Sequence, residues 1–456
     1  MRRRWDAQQV AGAAGAQLLR APASGTDGPE RTTIDSRKAT PGSLFVGLPG
    51  ENVDGGSFAA AALSNGAWGV LVTPEHGDAV TTGSGAAGSG SGAVLTAAEP
   101  LAALQRLARA WRRQLGARVI GVTGSTGKTS TKDLLLGVLS PYRLTVASRA
   151  NFNTEIGLPL EILAAPPGTE VLVLEMGMRG PGQIAELARI AEPDVGVIVS
   201  IGPVHLELLG SIEAVAAAKA ELIAGLAPGA TAVIPAGEPL LDPHLRDDLR
   251  TVTFGSGGDV RLASAADTRV EIDAEGERLT FAVDFTEAHL RQDLLAAVAA
   301  ALAVGVQPGG RLELALSPGR GQQRKLAADV TLIDDSYNAN PVSMRAALDA
   351  LAATATGGRR VAVLGDMLEL GPDAERYHEQ IGAHADGIAD LLVTVGPLAA
   401  AMARGFRGEH VHLDDATAAV AELPAVLHAG DVVLVKASNG VGLGRVCEAL
   451  TTAARA

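Results

Sequence analysis

A glycine-rich segment that begins at Val119 has the residue types and spacing of a phosphate-binding loop. It reads Val-Ile-Gly-Val-Thr-Gly-Ser-Thr-Gly-Lys-Thr-Ser-Thr. Gly124 and Gly127 allow the backbone to bend so that successive N–H groups point at phosphate oxygens, and a helix that begins near Thr129 adds the positive end of its dipole. Lys128 supplies a point charge and Thr129 a hydroxyl for Mg²⁺. The strict Walker spacing is not met, but the strand before the loop and the helix after it favour an ATP or GTP site over a surface turn.

Two polar side chains follow the next two apolar runs of this region. Glu175 ends the run EVLVLE, and His205 follows the run DVGVIVS. The carboxyl ends of parallel strands meet at one edge of a sheet, where ligands bind, so both side chains are candidates for the phosphate site. A carboxylate there can bind Mg²⁺ directly or through water, whereas His is an unusual Mg²⁺ ligand. The alternatives are a strand-end Glu facing solvent and a structural His.

The elements that must position these residues are alternating strands and helices. Strands are predicted at 119–123, 170–175, 194–200, 330–334, 360–364, 391–395 and 431–436, and helices at 100–115, 181–191, 212–226, 290–303, 341–351, 374–385 and 444–454. Such alternation predicts βαβ units and parallel sheets that helices cover on both faces. The polar, strand-rich stretch 252–285 predicts an antiparallel appendage, and a Gly/Ser-rich tract at 81–92 predicts a flexible surface loop.

We therefore predict an α/β protein of three domains, the number that its length of 456 residues favours. They are a small N-terminal α/β domain at 1–99, a central P-loop domain with a parallel sheet at 100–317, and a C-terminal Rossmann-like α/β domain at 318–456.

Composition excludes several classes of protein. Lys and Arg number 38 against 51 Asp and Glu, so the net charge of −13 argues against binding of nucleic acid. Cys447 is the single cysteine, which excludes an intrachain disulfide framework and a thiolate metal cluster. No apolar run reaches the ~18–20 residues that cross a bilayer, and polar residues follow the basic start where a signal peptide would be apolar. We expect a cytoplasmic monomer that does not insert into membranes.

Several segments resemble the Mur ligases, which build the peptide of bacterial cell-wall precursors. In the central block these are TGSTGKTS, LEMG, GPVHLE and the AKAEL run at 218–222. NFNTEIG at 151–157, DDSYNANP at 334–341 and GDMLELG at 365–371 are similar to segments of the members that add D-alanyl-D-alanine. With DSR at 35–37, the resemblance covers essentially the whole chain.

The resemblance implies an ATP-dependent amide ligase of peptidoglycan synthesis with ATP and Mg²⁺ as cofactors. Family members phosphorylate the carboxylate of a precursor, here UDP-N-acetylmuramoyl-tripeptide, and an amine, here D-alanyl-D-alanine, then attacks the acyl phosphate. A carboxylate needs this activation because its charge repels the amine and oxide is a poor leaving group. The resemblance also implies that substrate-binding, ATP-binding and amine-binding domains meet at the active-site cleft.

By motif match, the resemblance assigns residues to roles. The catalytic residues are Lys128, Glu175, His205 and Lys219, and the metal-side residues are Thr129, Glu175, His205 and Lys219, the last as a carbamate that turns a cation into an anionic ligand. The ATP-binding residues are Gly124, Ser125, Thr126, Gly127, Lys128, Thr129, Ser130, Asp293, Arg320 and Asp335. The substrate-binding residues are Ser36 and Arg37 for UDP, Asn151, Asn153 and Thr154 for the muramoyl-peptide, and Asn338 and Asn340 for the dipeptide or the nucleotide.

Other interpretations of these residues stay open. Lys219 could be a solvated helix lysine, and Arg320 and Asp335 could form interdomain salt bridges. Asp293 and Asn439 replace an Asn and an Arg of the family pattern, which is compatible with a paralogous Mur-type ligase that joins a different amine or dipeptide in secondary metabolism. A P-loop NTPase without ligase activity is the alternative from another class.

Overall fold

The computed structural model describes residues 5–22, 28–82, 91–149 and 151–453. Within these ranges three β-sheets with flanking helices follow one another along the chain, which confirms the predicted α/β class. Most of the tract predicted as a surface loop at 81–92 lies outside the described residues. None of the described helices has both the length and the apolar character needed to cross a membrane.

The first sheet has five strands in the order β1-β5-β4-β3-β2, and all neighbours are parallel except β1 and β5. Its elements are α1 Ala7–Ala14, β1 Gln17–Arg20, β2 Arg31–Thr33, β3 Ser43–Val46, α2 Ala59–Ser64, β4 Gly69–Val72, α3 Pro74–Thr82, β5 Ala93–Thr96 and α4 Pro100–Leu115. The strands β3, β4 and β5 are buried along their whole length, as expected of parallel strands covered on both faces.

The central sheet has ten strands in the order β15-β14-β13-β12-β11-β10-β9-β6-β8-β7. Its elements are β6 Arg118–Thr123, α5 Lys128–Leu139, β7 Thr145–Ala147, α6 Gly157–Ala164, β8 Val171–Glu175, α7 Gln183–Ala191, β9 Val195–Ile198, α8 Leu206–Leu209, α9 Ile212–Ala224, β10 Thr231–Pro235, β11 Arg250–Phe254, β12 Val260–Ala266, β13 Arg269–Ala274, β14 Glu277–Val283, α10 Ala288–Ala303 and β15 Gly310–Leu312.

The strand-rich stretch at 252–285 differs from the predicted antiparallel appendage. Its first strand, β11, pairs in parallel with β10, and β12 to β14 then continue the same sheet in antiparallel order. The edge of the parallel sheet therefore has a paired neighbour, which satisfies backbone groups that an isolated edge would expose. This extension packs under α10, whose middle turns are almost entirely buried.

The third sheet has six strands in the order β16-β17-β21-β18-β19-β20, parallel except for β16 against β17. Its elements are β16 Gln322–Lys325, β17 Thr331–Asp334, α11 Pro341–Ala353, β18 Arg360–Gly365, α12 Ala374–Ala385, β19 Leu391–Val395, β20 Glu409–Leu413, α13 Ala416–Val426, β21 Val432–Lys436 and α14 Gly444–Ala453. Strands β16 and β20 and helix α13 were not predicted from the sequence: β16 and β20 are exposed or half-exposed edge strands, and Pro424 lies inside α13.

Helix α4 joins the first sheet to the central one. One continuous apolar cluster runs from α1 and the first sheet through α4 to α6, α7 and one face of the central sheet. Trp111 lies in this cluster, where its indole N–H donates to the carbonyl of Ala165 at 3.1 Å. Its ring also makes an edge contact with Trp5 at 5.5 Å between centroids. The first two sheets therefore share a core across α4.

We predict that Trp111→Phe destabilises this shared core. The phenyl ring leaves part of the space empty and removes the donor to Ala165, so the expected cost is about 1–3 kcal/mol. Thermal unfolding followed by circular dichroism measures it as a lower midpoint. Leu144→Ala, at an exposed position, is the control and should change stability by less than about 0.5 kcal/mol. Equal midpoints for the Phe variant and the parent would contradict the prediction.

Candidate active site

The candidate site forms where three central strands end side by side. Val122 in β6 pairs with Glu175 at the end of β8, and Thr123 pairs with Ile198 at the end of β9. Residues that follow β6 therefore lie between Glu175 and the segment that follows β9. This is the carboxyl edge of a parallel sheet, where ligands bind in such folds.

The glycine-rich loop is held by the segment after β9. The backbone N–H of Ser125 donates to the carbonyl of Ser200 at 2.9 Å, and that of Thr126 donates to the Ser200 hydroxyl at 2.9 Å. The Ser125 hydroxyl donates to the carbonyl of Gly202 at 3.0 Å. Gly127 then turns the chain with φ +78°, and Lys128 is the first residue of α5. The loop therefore has the predicted form of strand, turn and helix.

A cavity of about 670 Å³ lies over this loop. It is lined by residues from the central and third sheets, among them most of the residues predicted to act. Those residues are Ser125, Thr126, Gly127, Lys128, Thr129, Ser130, Asn151, Asn153, Thr154, Glu175, His205, Lys219, Asp293, Arg320, Asp335, Asn338 and Asn340. Gly124 lies directly beneath, since its carbonyl accepts a hydrogen bond from Lys128 Nζ at 2.7 Å.

Thr129 lies at the centre of the hydrogen bonds in this cavity. Its hydroxyl donates to Glu175 Oε2 at 2.8 Å and accepts from the Arg320 guanidinium at 3.0 Å. The other carboxylate oxygen of Glu175 accepts a hydrogen bond from the Asn153 amide at 2.8 Å. The backbone N–H of Glu175 donates to the Ser148 hydroxyl. A hydroxyl, a carboxylate and a guanidinium are thus fixed beside the loop.

Three lysines line the same cavity: Lys128, Lys219 and Lys436. Lys219 on α9 is buried with 2% exposure, and it has no hydrogen-bond or ion-pair partner in the described part of the chain. Burial holds its pKa well below the usual value, and the charge of Lys128 adds to that effect. Burial also lowers the pKa of Lys128, although Glu175 partly opposes this. A buried lysine without a counter-ion favours the neutral amine.

His205 also lines the cavity, on a backbone with φ +53° just before α8. Burial lowers its pKa, while the carboxylate of Glu369 raises it and Lys128 and Lys219 lower it further. Its Nδ1 contacts Glu369 Oε2, a residue of the third sheet's loops. Glu369 belongs to the GDMLELG segment at 365–371, and no role was predicted for it from the sequence.

Asp293 on α10 packs against the loop from behind. A Cβ on Gly127 would lie 2.5 Å from Asp293 Oδ1 and 2.7 Å from Val199, so only glycine fits there. Burial holds the pKa of the Asp293 carboxyl well above its usual value, and a hydrogen bond with Ser130 opposes this. The raised pKa favours the neutral carboxyl, which can donate a hydrogen bond as well as accept one.

The third segment, which is the predicted domain at 318–456, reaches the loop through Arg320. Its guanidinium stacks on the ring of Tyr337, 4.0 Å from the ring centroid, while it donates to Thr129. Asp335, predicted to bind ATP, forms an ion pair with Lys436 at 2.6 Å, and Lys436 also donates to the carbonyl of Asn338. Asp335 therefore lines the cavity, but its charge is already paired with that of Lys436.

The predicted peptide-binding residues lie in the cavity with structural partners of their own. Thr154 accepts from the N–H of Gly157 at the start of α6. Asn340 caps α11 and donates to the carbonyl of Ser125 at 3.4 Å, so it joins the third segment to the loop. Asn151 is exposed at the cavity wall.

Ser36 and Arg37 lie elsewhere, at the carboxyl edge of the first sheet. Arg37 is exposed and paired with Asp35 at 2.9 Å. The same edge carries His76, which contacts Asp54 at 2.9 Å and whose ring fills the space where a Cβ on Gly56 would lie. His76 was not singled out from the sequence because no local pattern links it to residues about twenty positions away.

Comparison with known families finds the Mur ligases along the chain. Three models match: the Mur ligase family catalytic domain over 30–112, the Mur ligase middle domain over 122–301, and the Mur ligase, glutamate ligase domain over 319–439.

Individual relatives match over most of their length. The chain is 38% identical over 432 residues to a UDP-N-acetylmuramoyl-tripeptide–D-alanyl-D-alanine ligase of Synechocystis sp., covering 91% of the chain and 90% of that relative. It is 36% identical over 435 residues to the ligase of the same name from Bacillus subtilis, covering 91% and 92%.

Solved structures match the whole fold. A crystal structure of MurF from Acinetobacter baumannii has a TM-score of 0.83 at 27% identity, covering 98% of this chain and 99% of that one. MurF ligase from Thermotoga maritima in complex with ADP has a TM-score of 0.78 at 29% identity, covering 93% and 98%.

We predict that Asp293→Asn stabilises the protein by an amount that grows with pH. The unfolded chain loses this proton above a pKa of about 3.9, while the folded protein keeps it because its pKa is raised. The stability that this group contributes is therefore full in acid and falls as pH rises toward the folded pKa, by up to about 1.4 kcal/mol per pH unit. Asparagine carries no such proton. Thermal midpoints of the variant and the parent at several pH values between about 5 and 8 measure the difference.

Asp247→Asn is the matched control, because Asp247 is exposed and has no recorded partner among the described residues. Its midpoint should follow the parent at every pH. A difference between Asp293→Asn and the parent that stays constant with pH would mean that the Asp293 carboxyl is ionised in the folded protein.

Proposed function

The chain belongs to the Mur ligase family, and we propose that it adds D-alanyl-D-alanine to UDP-N-acetylmuramoyl-tripeptide in peptidoglycan-precursor synthesis. The relatives that carry this activity in their names are 32–38% identical over more than nine-tenths of the chain. As a member of the family it is an ATP-dependent amide ligase. The observation that carries the proposal is a single cavity over the glycine-rich loop. It is lined by Lys128, Thr129, Glu175 and Lys219.

The reaction needs two displacements. The terminal carboxylate of the tripeptide attacks the γ-phosphorus of ATP, and the bond to ADP breaks. The dipeptide amine then attacks the acyl carbon, the amine loses a proton, and phosphate leaves with the electron pair of the C–O bond. Both steps move charge on phosphoryl oxygens, so fixed cations lower the barrier more than any acid or base would.

The chain supplies those cations from two sides. The N–H groups of Gly127, Lys128 and Thr129, at the start of α5, would face the β- and γ-phosphates, with Lys128 as the point charge. Arg320 approaches from the third segment, where its planar guanidinium can bind two phosphate oxygens. Asp293, behind Gly127, shapes the loop on the nucleotide side, and Asp335 with Lys436 faces the ribose end.

The donor atoms of the cavity fit Mg²⁺. Thr129 and Glu175 offer hard oxygens fixed by a shared hydrogen bond, and Mg²⁺ in nucleotide sites takes one or two such ligands and fills the rest from phosphates and water. No group of three or more His, Cys, Asp and Glu close enough to form an all-protein cage occurs in the described ranges. When bound, Mg²⁺ would offset phosphate charge; Thr129, Glu175, His205 and Lys219 would hold it.

Lys219 serves this purpose as a carbamate. Its neutral amine can attack CO₂, so that an N–C bond forms, one C–O π bond opens to an oxyanion, and the nitrogen loses a proton. The product replaces a buried amine that has no partner by an anion, and the charge of Lys128, which disfavours a cation at Lys219, would favour this anion. The two new oxygens are also ligands of the type that Mg²⁺ prefers.

Each of the three predicted domains binds a different substrate. We assign the UDP moiety to 1–99 through Ser36 and Arg37, ATP to 100–317, and the dipeptide to 318–456 through Asn338 and Asn340. Asn151, Asn153 and Thr154 face the muramoyl-peptide, whose amides they can meet as donors and acceptors. Substrates of this kind place the reaction in the cytoplasm.

Phosphate release tests the function. With ATP, Mg²⁺ and UDP-N-acetylmuramoyl-tripeptide, we expect turnover only when D-alanyl-D-alanine is added, and Lys128→Ala should abolish it. Equal release with and without the dipeptide would contradict ligase chemistry and favour a simple NTPase. Turnover with other amines alone would keep the ligase class and reject the named dipeptide.

A second prediction tests Lys219. Lys219→Ala should lose most activity, and formate or acetate should restore part of it because a small carboxylate fits the space and replaces the missing anion. Lys219→Arg is the control: it fills the space, stays cationic and should not respond to added carboxylate. The parent, incubated with ¹³C-bicarbonate, should show a carbamate resonance that both variants lack. Full activity of Lys219→Arg would contradict the carbamate.

A further inference from the structure

Glu369 is a carboxylate of the third segment that reaches into the central one. It lies in the loop after β18, and its Oε2 contacts Nδ1 of His205. The Arg179 guanidinium lies 3.8 Å from its other oxygen but is 75% exposed, so that pair is weakly held. The contact with His205 is the closer one, and both of its side chains are more than half buried.

The loop that carries Glu369 is rigidly fixed. His378 is fully buried, and its Nε2 accepts from the N–H of Met367 at 2.9 Å. The hydroxyl of Ser438 accepts from the N–H of Leu368 at 2.9 Å, one residue before Glu369. Two hydrogen bonds on the N-terminal side of Glu369 therefore help to set where the carboxylate points.

Both residues of this contact have a positive φ, a backbone conformation that residues other than glycine rarely adopt. His205 has φ +53° and Glu369 has φ +61°, and neither is glycine. The N–H of Glu207 also donates to the carbonyl of Glu369 at 3.3 Å. Such conformations persist where surrounding contacts over-determine them, and they concentrate at functional sites.

We propose that Glu369 is a positioning residue for His205: it accepts the Nδ1–H hydrogen bond and so fixes the ring with Nε2 unprotonated and available to the cavity. A histidine that binds a metal commonly donates its other ring N–H to a carboxylate, which fixes the tautomer and the ring orientation. Glu369 has that relation to His205. The inference rests on the proposed function, which places a divalent cation with ATP in the cavity.

The pair spans two segments, and this has a thermodynamic consequence. Glu369 can orient His205 only while the third segment lies against α8. A cation that binds better to the oriented ring must therefore favour this closed arrangement, and closure must favour the cation by the same factor. The third segment thereby helps to complete a site whose other cation-side residues all lie in the central one.

The first test reads the tautomer in the ligand-free protein. With ¹⁵N-labelled histidine at alkaline pH, His205 is assigned by the signal that His205→Gln loses. We expect the Nδ1–H tautomer in the parent and in Glu369→Gln, whose amide oxygen still accepts. In Glu369→Ala we expect the Nε2–H form that free imidazole prefers. An unchanged tautomer in Glu369→Ala would overturn the proposal.

The second test reads cation affinity with Mn²⁺ as the probe. Titration of Mn²⁺ into protein saturated with ADP, followed by electron paramagnetic resonance, should give a Kd that rises roughly 10- to 100-fold in Glu369→Ala. Glu379→Ala is the matched control, an exposed carboxylate of the same segment, and should leave Kd unchanged. Circular dichroism and thermal unfolding show whether each variant is folded.

The outcomes separate this inference from the proposed function. If the parent does not bind Mn²⁺ with ADP, the proposed function fails, whatever the tautomer. If the parent binds and Glu369→Ala binds equally well with the same tautomer, only the positioning role is overturned. If Glu369→Ala does not fold, Glu369→Gln still decides: loss of the Nδ1–H tautomer in this isosteric variant would contradict the geometry.

Discussion

The hydroxyl of Thr129 is the point at which the parts of this molecule meet. It donates to Glu175 from the neighbouring strand and accepts from Arg320 of the third segment, within 2.8 and 3.0 Å. The first contact depends on the parallel register of β6 and β8, which brings Glu175 beside Val122. The second depends on the chain returning from the central sheet to the loop. The Thr129 hydroxyl therefore contacts both the central sheet, through Glu175, and the third segment, through Arg320.

The cations nearest this hydroxyl are only partly paired. Burial and the nearby charge of Arg320 lower the pKa of Lys128, and Glu175 partly opposes both effects. Glu175 in turn accepts hydrogen bonds from Thr129 and Asn153. A phosphate group bound near Lys128 and Arg320 would therefore relieve their mutual repulsion as well as gain an attraction to each.

Sequence reasoning predicted the parts of the site that depend on local pattern. The loop from Gly124 to Thr129 and the strand that ends at Glu175 are readable because backbone period and glycine spacing are local properties. Helix α4 and strand β19 have the predicted bounds for the same reason. The contacts of Glu369 with His205 and of Asp335 with Lys436 could not be predicted, since each joins residues at least a hundred positions apart. Their partners are set by how the third sheet docks, which no local pattern encodes.

The contacts between the third segment and the central one suit the chemistry of an amide ligase. An acyl phosphate is destroyed by water, so the site must exclude water after phosphoryl transfer while still admitting the amine. Arg320 with Thr129, Asn340 with the carbonyl of Ser125, and Glu369 with His205 all cross between segments, and all have their central partner in or beside the phosphate loop and cation region. A nucleotide bound at that loop would lie next to all three contacts. A third segment that closes over a loaded site through them would protect the intermediate while it exists.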